Sequence, residues 1–530
     1  MPTRQNIKNI WMITREYGSL AGAGGVKDVS KQLAEALARD GRDVHVVLPC
    51  YGFMNPRDAG FVPSGMEFFV DMCYATEERR EFVKIWRRCQ NPDIFLIDSQ
   101  RFREKHSVYT YTADDAAQNP SLPQGSGHFD YFAMNLLLQK TALNLMIRMD
   151  QRPDIIHCHD GHTAVLPAMI REREGFRHYF HNTGCVVTIH NAGQSYHQEV
   201  ADLPFAQAIT GLPLRVIRDN QLDGSFDPFL AASQYCVLNT VSENYARELR
   251  ETYDDELTGW LGHRLMARGV CLEGVTNGIN PADYDPSKPE DLGLPAGYSA
   301  GGPKSGGKDG KEICKEELID TLLRRGLANV EQDGWLDQRP GQPLFSFIGR
   351  FTAQKGVDKM MGALKKLLPI DQDFQILILG TGDKLVEADL AELANDKDFQ
   401  GRVCVLRGYD PVFANQIYAA GDFFLVPSRY EPCGLTDFMA QLFGNIPVVH
   451  HIGGLVKVID GETGFAYTKH SSDQLAQTMK RAIDMFRSSP EKIMDIRRQA
   501  VERIDNTFTW DTVMRRYLEL YEEALRFKGN

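Results

Sequence analysis

Arg350 closes the apolar run PLFSFIGR (343–350), and Lys355 follows five residues later in IGRFTAQKGVDKMMGAL (348–364). Two cations just past the carboxyl end of a buried parallel strand stand where α/β domains bind ligands. A forked guanidinium beside a point-charge ammonium suits a diphosphate; two solvated surface cations are the plainer alternative. VPSRYEPCGLTDFMAQLFG (426–444) says more. It predicts a strand ending at Ser428, a tight turn holding Arg429, Glu431, Pro432 and Gly434, and a helix with Leu435, Phe438, Met439, Leu442 and Phe443 at i, i+3, i+4, i+7, i+8. Proline and glycine leave the turn little freedom, so Glu431 and the N–H groups of Gly434, Leu435 and Thr436 aim into one crevice. A carboxylate beside an anion-binding helix start grips hydroxyls while the helix holds phosphates; a plain helix cap is the alternative.

SLAGAGGVKDVSKQLAEAL (19–37) follows the strand-like IKNIWMITRE (7–16). Gly22, Gly24 and Gly25 match neither G-x-G-x-x-G nor a phosphate loop ending in G-K-[ST]. What remains is a Gly-Gly turn at a helix start, confirmed by the stripe Val29, Leu33, Leu37. Its free amides favour an anion; a ligand-free turn is equally compatible. Lys27 falls in the first helical turn, where the dipole opposes a cation by about 0.3–1 kcal/mol. A solvated surface lysine tolerates that, and a bound anion would offset it.

HCHDGH (157–162) places His157 and His159 on one face of a strand. With Asp160 and His162 they can be read as metal ligands or as the polar end of a strand lining a sugar cleft. The cleft is favoured, because no second ligand cluster accompanies them and Asp160 falls at the strand's carboxyl end. His190 and Asn191 in TIHN, and Asn277 in VTNGIN, also follow strand ends. DQD (371–373) precedes an apolar strand instead of following one and reads as a loop.

The elements that must position these residues are short β-branched runs alternating with helical patterns. DVHVVLP (43–49), DIFLID (93–98), DIIHCHD (154–160), CVVTIHN (185–191) and CVLNTVS (236–242) form one series; PLFSFIGR (343–350), FQILILGTG (374–382), RVCVLRGY (402–409) and FFLVPSRYE (423–431) form another. Continuous apolar strands are buried on both faces, which predicts two doubly wound parallel α/β domains. PAGYSAGGPKSGGKDGKE (295–312) reads as a linker or exposed loop, and a last helix from about Trp510 carries the stripe Val513, Tyr517, Leu520, Tyr521, Ala524. The domains predicted are 1–280, 281–505 and a terminal helix in 506–530. The 530 residues carry a net charge of −12, which argues against nucleic-acid and anionic-membrane binding. Ten cysteines without a C-x-x-C pair, and no membrane-length apolar run, suggest a cytoplasmic protein.

Together these pieces resemble the bacterial glycogen synthase and plant starch synthase family. The resemblance runs nearly end to end. It rests on Gly24–Gly25 with Asp28–Val29, HCHD, TIHN, TVSENYAREL (240–249), VTNGIN, GRFTAQKG, GTGD (380–383), RGYD (407–410) and PSRYEPCGLT. It implies a GT-B architecture, two Rossmann-like domains facing across a cleft, and retaining transfer of glucose from ADP-glucose or UDP-glucose to the non-reducing end of an α-1,4-glucan. No metal or other cofactor is implied. Arg350 and Lys355 would bind the donor diphosphate, and Glu431 the glucose hydroxyls. Gly25 and the start of the Gly434–Thr436 helix would hold the distal phosphate, with Gly24 and Cys433 as neighbouring substrate-binding positions. His190 and Asn277 would contact the 6-hydroxyl, Asp160 the reacting face, and Tyr409 the base. The last helix would cross back onto the first domain.

The chain departs from the family pattern at three places. The loop usually reads K-T-G-G-L-G-D-V, so the family's lysine is Gly22 here, and Lys27 is new. Another frequent lysine is Ala231. T-G-G-L-x-D-T becomes IGGLVKV (452–458), closer to the broad group that includes sucrose and trehalose enzymes. A related transferase with a small sugar acceptor, or a catalytically weak glucan- or nucleotide-binding homologue, are the alternative expectations.

Overall fold

The computed structural model describes residues 7–302, 309–325, 327 and 329–527. Residues 303–308 of the Gly/Lys-rich stretch lie outside the described residues. The chain divides into two compact units: one runs to Gly278 and takes in the segment from Trp510, and the other spans Ile279–Thr509. The sequence predicts these boundaries at 280/281 and 505/506, within a few residues of those found.

The first unit holds β1 (Asn9–Ile13), β2 (Asp43–Pro49), β3 (Val62–Asp71), β4 (Arg80–Arg88), β5 (Asp93–Asp98), β6 (Ile155–His159), β7 (Gly184–Ile189), a hairpin of β8 (Gln221–Leu222) and β9 (Ser225–Phe226), β10 (Val237–Thr240) and β11 (Glu273–Gly274). Apart from the hairpin they form one sheet in the order β11-β10-β7-β6-β1-β2-β5-β4-β3. Its seven strands from β11 to β5 are parallel, and β4 and β3 continue it antiparallel. Buried runs such as IIHCH in β6 and GCVVTI in β7 make the parallel part, because helices cover both faces. The apolar-run pattern does not mark β3 and β4, where buried residues are few and alternate with exposed or half-buried ones.

The last helix, Trp510–Arg526, buries Val513, Tyr517, Leu520, Tyr521 and Ala524 against this unit. The anchors are specific. Trp510 Nε1 donates to Gln32 Oε1 at 2.7 Å, and the Tyr521 hydroxyl lies 2.9 Å from His157 Nδ1. A Cβ on Gly184 would come within 2.9 Å of the helix backbone at Ala524, so the glycine lets helix and sheet approach. Full burial of each large apolar side chain is worth about 1.5–3 kcal/mol.

The second unit contains β12 (Val330–Gly334), β13 (Leu344–Ile348), β14 (Gln375–Gly380), β15 (Val403–Gly408), β16 (Phe423–Val426), β17 (Ile446–His450) and β18 (Phe465–Tyr467). The order is β12-β15-β14-β13-β16-β17-β18, parallel except for β12. Phe345, Ile376, Ile378, Val403, Val405, Leu425 and Val448 fill its core. β16 ends at Val426, two residues before the expected Ser428. DQD precedes β14, where Asp371 pairs with Arg487 at 2.6 Å.

Each sheet reverses its winding at one strand. β1 lies between β2 and β6, and β13 between β14 and β16. Chains leaving a central strand in opposite directions open a crevice at its carboxyl end. Those two crevices are where the chemistry-bearing residues of each unit collect.

Candidate active site

In the second unit, Arg350 and Lys355 leave the end of β13 and Glu431 the end of β16. Lys355 Nζ lies 2.7 Å from Glu431 Oε2, which also accepts from Ser428 Oγ at 2.9 Å. Burial alone would raise the Glu431 carboxyl. The Lys355 charge and hydrogen bond, the Ser428 hydroxyl and Lys457 outweigh it and hold the group ionised, below the ordinary range. Both bonds fall on Oε2, so Oε1 is left to accept from a ligand. Arg350 is exposed and, among the described residues, has only a long contact to Gln354, at 3.4 Å. The two loops are laced together: the Arg429 amide donates to the Gln354 carbonyl. Gly356 makes this possible. Its φ is +69°, and a Cβ there would sit 1.9 Å from the Pro427 carbonyl, so the glycine after Lys355 is required by the close approach.

The helix after Glu431 runs Thr436–Leu442. The amides of Gly434, Leu435 and Thr436 have no acceptor among the described residues. Beneath them sits a cation that sequence reading did not single out. Lys457 is buried, donates to the Cys433 and Gly434 carbonyls at 2.6 and 2.8 Å, and pairs with Asp437 at 3.1 Å. Burial pushes the Asp437 carboxyl up to about 6 against the pull of Lys457. Gly453 and Gly454 press flat on the turn: a Cβ on either would come within 2.2 Å of the Glu431 or Cys433 carbonyl. A lone lysine inside the apolar run GGLVKV was the available signal, because an unpaired charge is seldom buried. Tyr409, just past β15, is 60% exposed and offers an open ring face.

In the first unit, the glycine loop differs from expectation. The buried Glu16, at the end of β1, accepts from the Ala23 and Gly24 amides at 2.6 and 3.0 Å, and its other oxygen from the Tyr109 hydroxyl at 2.6 Å. The Gly24 amide is therefore engaged by an internal carboxylate, which corrects its reading as part of an open anion cradle. The amides of Gly25, Val26 and Lys27 have no acceptor among the described residues. Lys27 is half-buried, not fully solvated, and its stem lies across Gly22: a Cβ at Gly22 would be 2.4 Å from Lys27 Cδ.

Asp160 ends β6 with φ +58°, an uncommon conformation for a residue with a side chain. Buried, its Oδ1 accepts from the His190 and Asn191 amides at 2.7 and 3.4 Å. Desolvation raises its carboxyl to about 8 despite those amides, and the Glu16 charge adds to the rise. His190 Nε2 lies 2.9 Å from His159 Nδ1, and burial lowers His190 to about 3, so both rings are neutral. His157 is corrected out of the cleft: its nitrogens are taken by Tyr521 and Thr188 in the core. His162 is buried and stacks on Tyr109. Asn277 is buried, with an Oδ1 that has no partner among the described residues.

The family model described as starch synthase catalytic domain matches residues 9–263, and that described as glycosyl transferases group 1 matches residues 342–485. Glycogen synthase from Streptococcus agalactiae serotype Ia is 31% identical over 529 residues, covering 97% of this chain and 99% of that protein. The chain belongs to the glycogen and starch synthase family. The Vibrio parahaemolyticus glycogen synthase is 27% identical over 530 residues, with 98% and 99% covered. The catalytic domain of starch synthase IV from Arabidopsis thaliana, solved with ADP and acarbose, superposes with a TM-score of 0.80 at 24% identity, covering 98% of this chain and all of that one. The fold is GT-B, and the enzyme is a glucosyltransferase that uses a nucleotide sugar and an α-glucan.

Against the glycogen and starch synthase pattern, the departures have structural counterparts. Ala231, where the family often has lysine, is fully buried in the helix Pro228–Ala232. Lys457 takes the place of the aspartate in T-G-G-L-x-D-T and pairs with Asp437. As it lies here, the stem of Lys27 occupies the space that a Cβ at position 22 would take. No helix among the described residues is long and apolar enough to cross a membrane.

Proposed function

We propose that this glycogen synthase family member transfers glucose from ADP-glucose, with retention, to the non-reducing end of an α-1,4-glucan in the cytoplasm, and that its own cations do the electrostatic work without a metal. The Lys355–Glu431 pair at 2.7 Å carries the reading. It sets a positive and a negative group side by side at a switch-point crevice, beside helix-start amides with no internal acceptor. Sugar transfer from a nucleotide sugar builds negative charge on the departing diphosphate and positive charge on the ring carbon. Lys355 and the unpaired guanidinium of Arg350 answer the first. Glu431, held ionised, accepts glucose hydroxyls through Oε1. The amides of Gly434, Leu435 and Thr436, with Cys433 closing the turn, hold the distal phosphate, and Tyr409 stacks on the base.

In the first unit, Gly25 supplies an anion-facing amide and Gly24 orders the loop through Glu16. His190 and Asn277 meet the 6-hydroxyl. Asp160, largely protonated at neutral pH, is placed to donate a hydrogen bond near the reacting face. ADP bound to the starch synthase IV relative supports an adenine donor here.

Lys27 takes the part of the lysine absent at Gly22. Lys27→Ala is expected to raise the donor KM about tenfold, roughly 1.4 kcal/mol, with kcat nearly unchanged. Steady-state kinetics with ADP-glucose and UDP-glucose test both points. Higher kcat/KM with UDP-glucose overturns the donor assignment, and an unchanged donor KM in the variant removes Lys27 from the site.

A further inference from the structure

A cavity of about 500 Å³ in the first unit has an unbalanced charge. Its walls carry Asp71 and Glu78 against Arg79, Arg80, Lys140 and Arg173. None of these belongs to the site described above. Two of the cations are answered: Arg80 Nε is 3.1 Å from Asp71 Oδ1, and Arg79 Nη2 is 2.8 Å from Glu77 Oε2. The other two have no carboxylate within ion-pair distance among the described residues. Lys140 projects from the middle of the helix Tyr131–Arg148 and is only 4% exposed. Its ammonium makes one hydrogen bond, to the Asp71 carbonyl at 2.8 Å, and so keeps two donors. The Arg173 guanidinium has no acceptor among the described residues. It lies 5.0 Å from the centroid of Phe176 and against Gly211, where a Cβ would approach Nε to 3.1 Å.

Two largely desolvated cations sharing a cavity are costly when the Asp71 carboxylate acts on both only from beyond ion-pair distance. Burial pushes Lys140 down to about 8, the Arg173 charge pushes in the same direction, and burial lowers Arg173 as well. We propose that this cavity binds a phosphate monoester carried on a hydroxylated body, that is, a sugar phosphate. A dianionic phosphate answers both charges at once, taking the forked donors of Arg173 and the spare N–H groups of Lys140. The volume lies in the range of small-molecule sites. Asp71 and Glu78 are placed to accept hydroxyls of the body, which a bare phosphate would leave unused.

Isothermal titration of the full-length protein, with ADP present at saturation to occupy the donor site, tests this. The probes are glucose 6-phosphate, inorganic phosphate and glucose. The expected result is one glucose 6-phosphate per chain, bound at least tenfold more tightly than inorganic phosphate, and no binding of glucose. Arg173→Gln and Lys140→Met should each weaken that binding tenfold or more while the donor KM stays at the wild-type value. Lys140→Met keeps the shape of the side chain and removes a buried charge, so its fold is retained. Absence of binding, or affinity unchanged in both variants, overturns the site. Equal affinity for inorganic phosphate overturns the hydroxylated body.

Discussion

Replacing Lys355 by alanine is expected to lower kcat/KM for the nucleotide sugar about 10²–10³-fold, the usual cost of removing one preorganised electrostatic group from a transition state. The lysine sits 2.7 Å from Glu431 at the end of β13, where a diphosphate must gather charge as it leaves. It is partly exposed, and its removal leaves no deep cavity. Glu431 keeps the Ser428 hydroxyl as a donor, so the fold survives and the melting temperature moves by only a few degrees. The leaving group is held less well, and inhibition by ADP weakens about tenfold in the same variant. Near-normal kcat/KM would contradict the assignment of Lys355 to the leaving diphosphate.

Glu431→Gln is expected to cost about 10² or more in kcat for a different reason. The amide keeps the size of the side chain and can still accept from Lys355 and Ser428, but the negative charge beside the developing positive sugar is gone. Lys355 is then no longer neutralised by a carboxylate and is free to hold the diphosphate. The donor KM and ADP inhibition should therefore stay level or tighten. The two variants thus separate by ADP affinity: it falls in Lys355→Ala and does not fall in Glu431→Gln. Equal loss of ADP affinity in both would mean that the pair acts only as a structural brace between the β13 and β16 loops.

Much of this arrangement was legible in the sequence because the responsible signals are local. The buried strands read as unbroken apolar runs, and β2 and β5 have the bounds their runs predicted. The spacing Val513-Tyr517-Leu520-Tyr521-Ala524 marks a helix needing one surface, and all five residues are buried. Other features depend on partners distant in sequence. β3 and β4 bury few residues and alternate them with exposed or half-buried ones, with the solvent-facing Phe69 and Phe82 packed on each other, so a search for continuous apolar runs passes over them. Glu16 reads as an ordinary acidic residue until the loop folds back and gives it the Ala23 and Gly24 amides. Lys457 gains its meaning only from the carbonyls of Cys433 and Gly434, more than twenty positions upstream. His157 looked like part of a polar strand end, but the last helix covers it with Tyr521.

The most direct test of the central claim follows glucose carbon. The purified protein is incubated with glycogen and ADP-glucose labelled in the glucose, and the polymer is isolated and digested with an enzyme that releases terminal α-1,4-linked glucose. The account predicts label in the polymer, released as glucose by that digestion, with one ADP formed per glucose transferred. Label confined to small products, or nucleotide bound without ADP release, would contradict it.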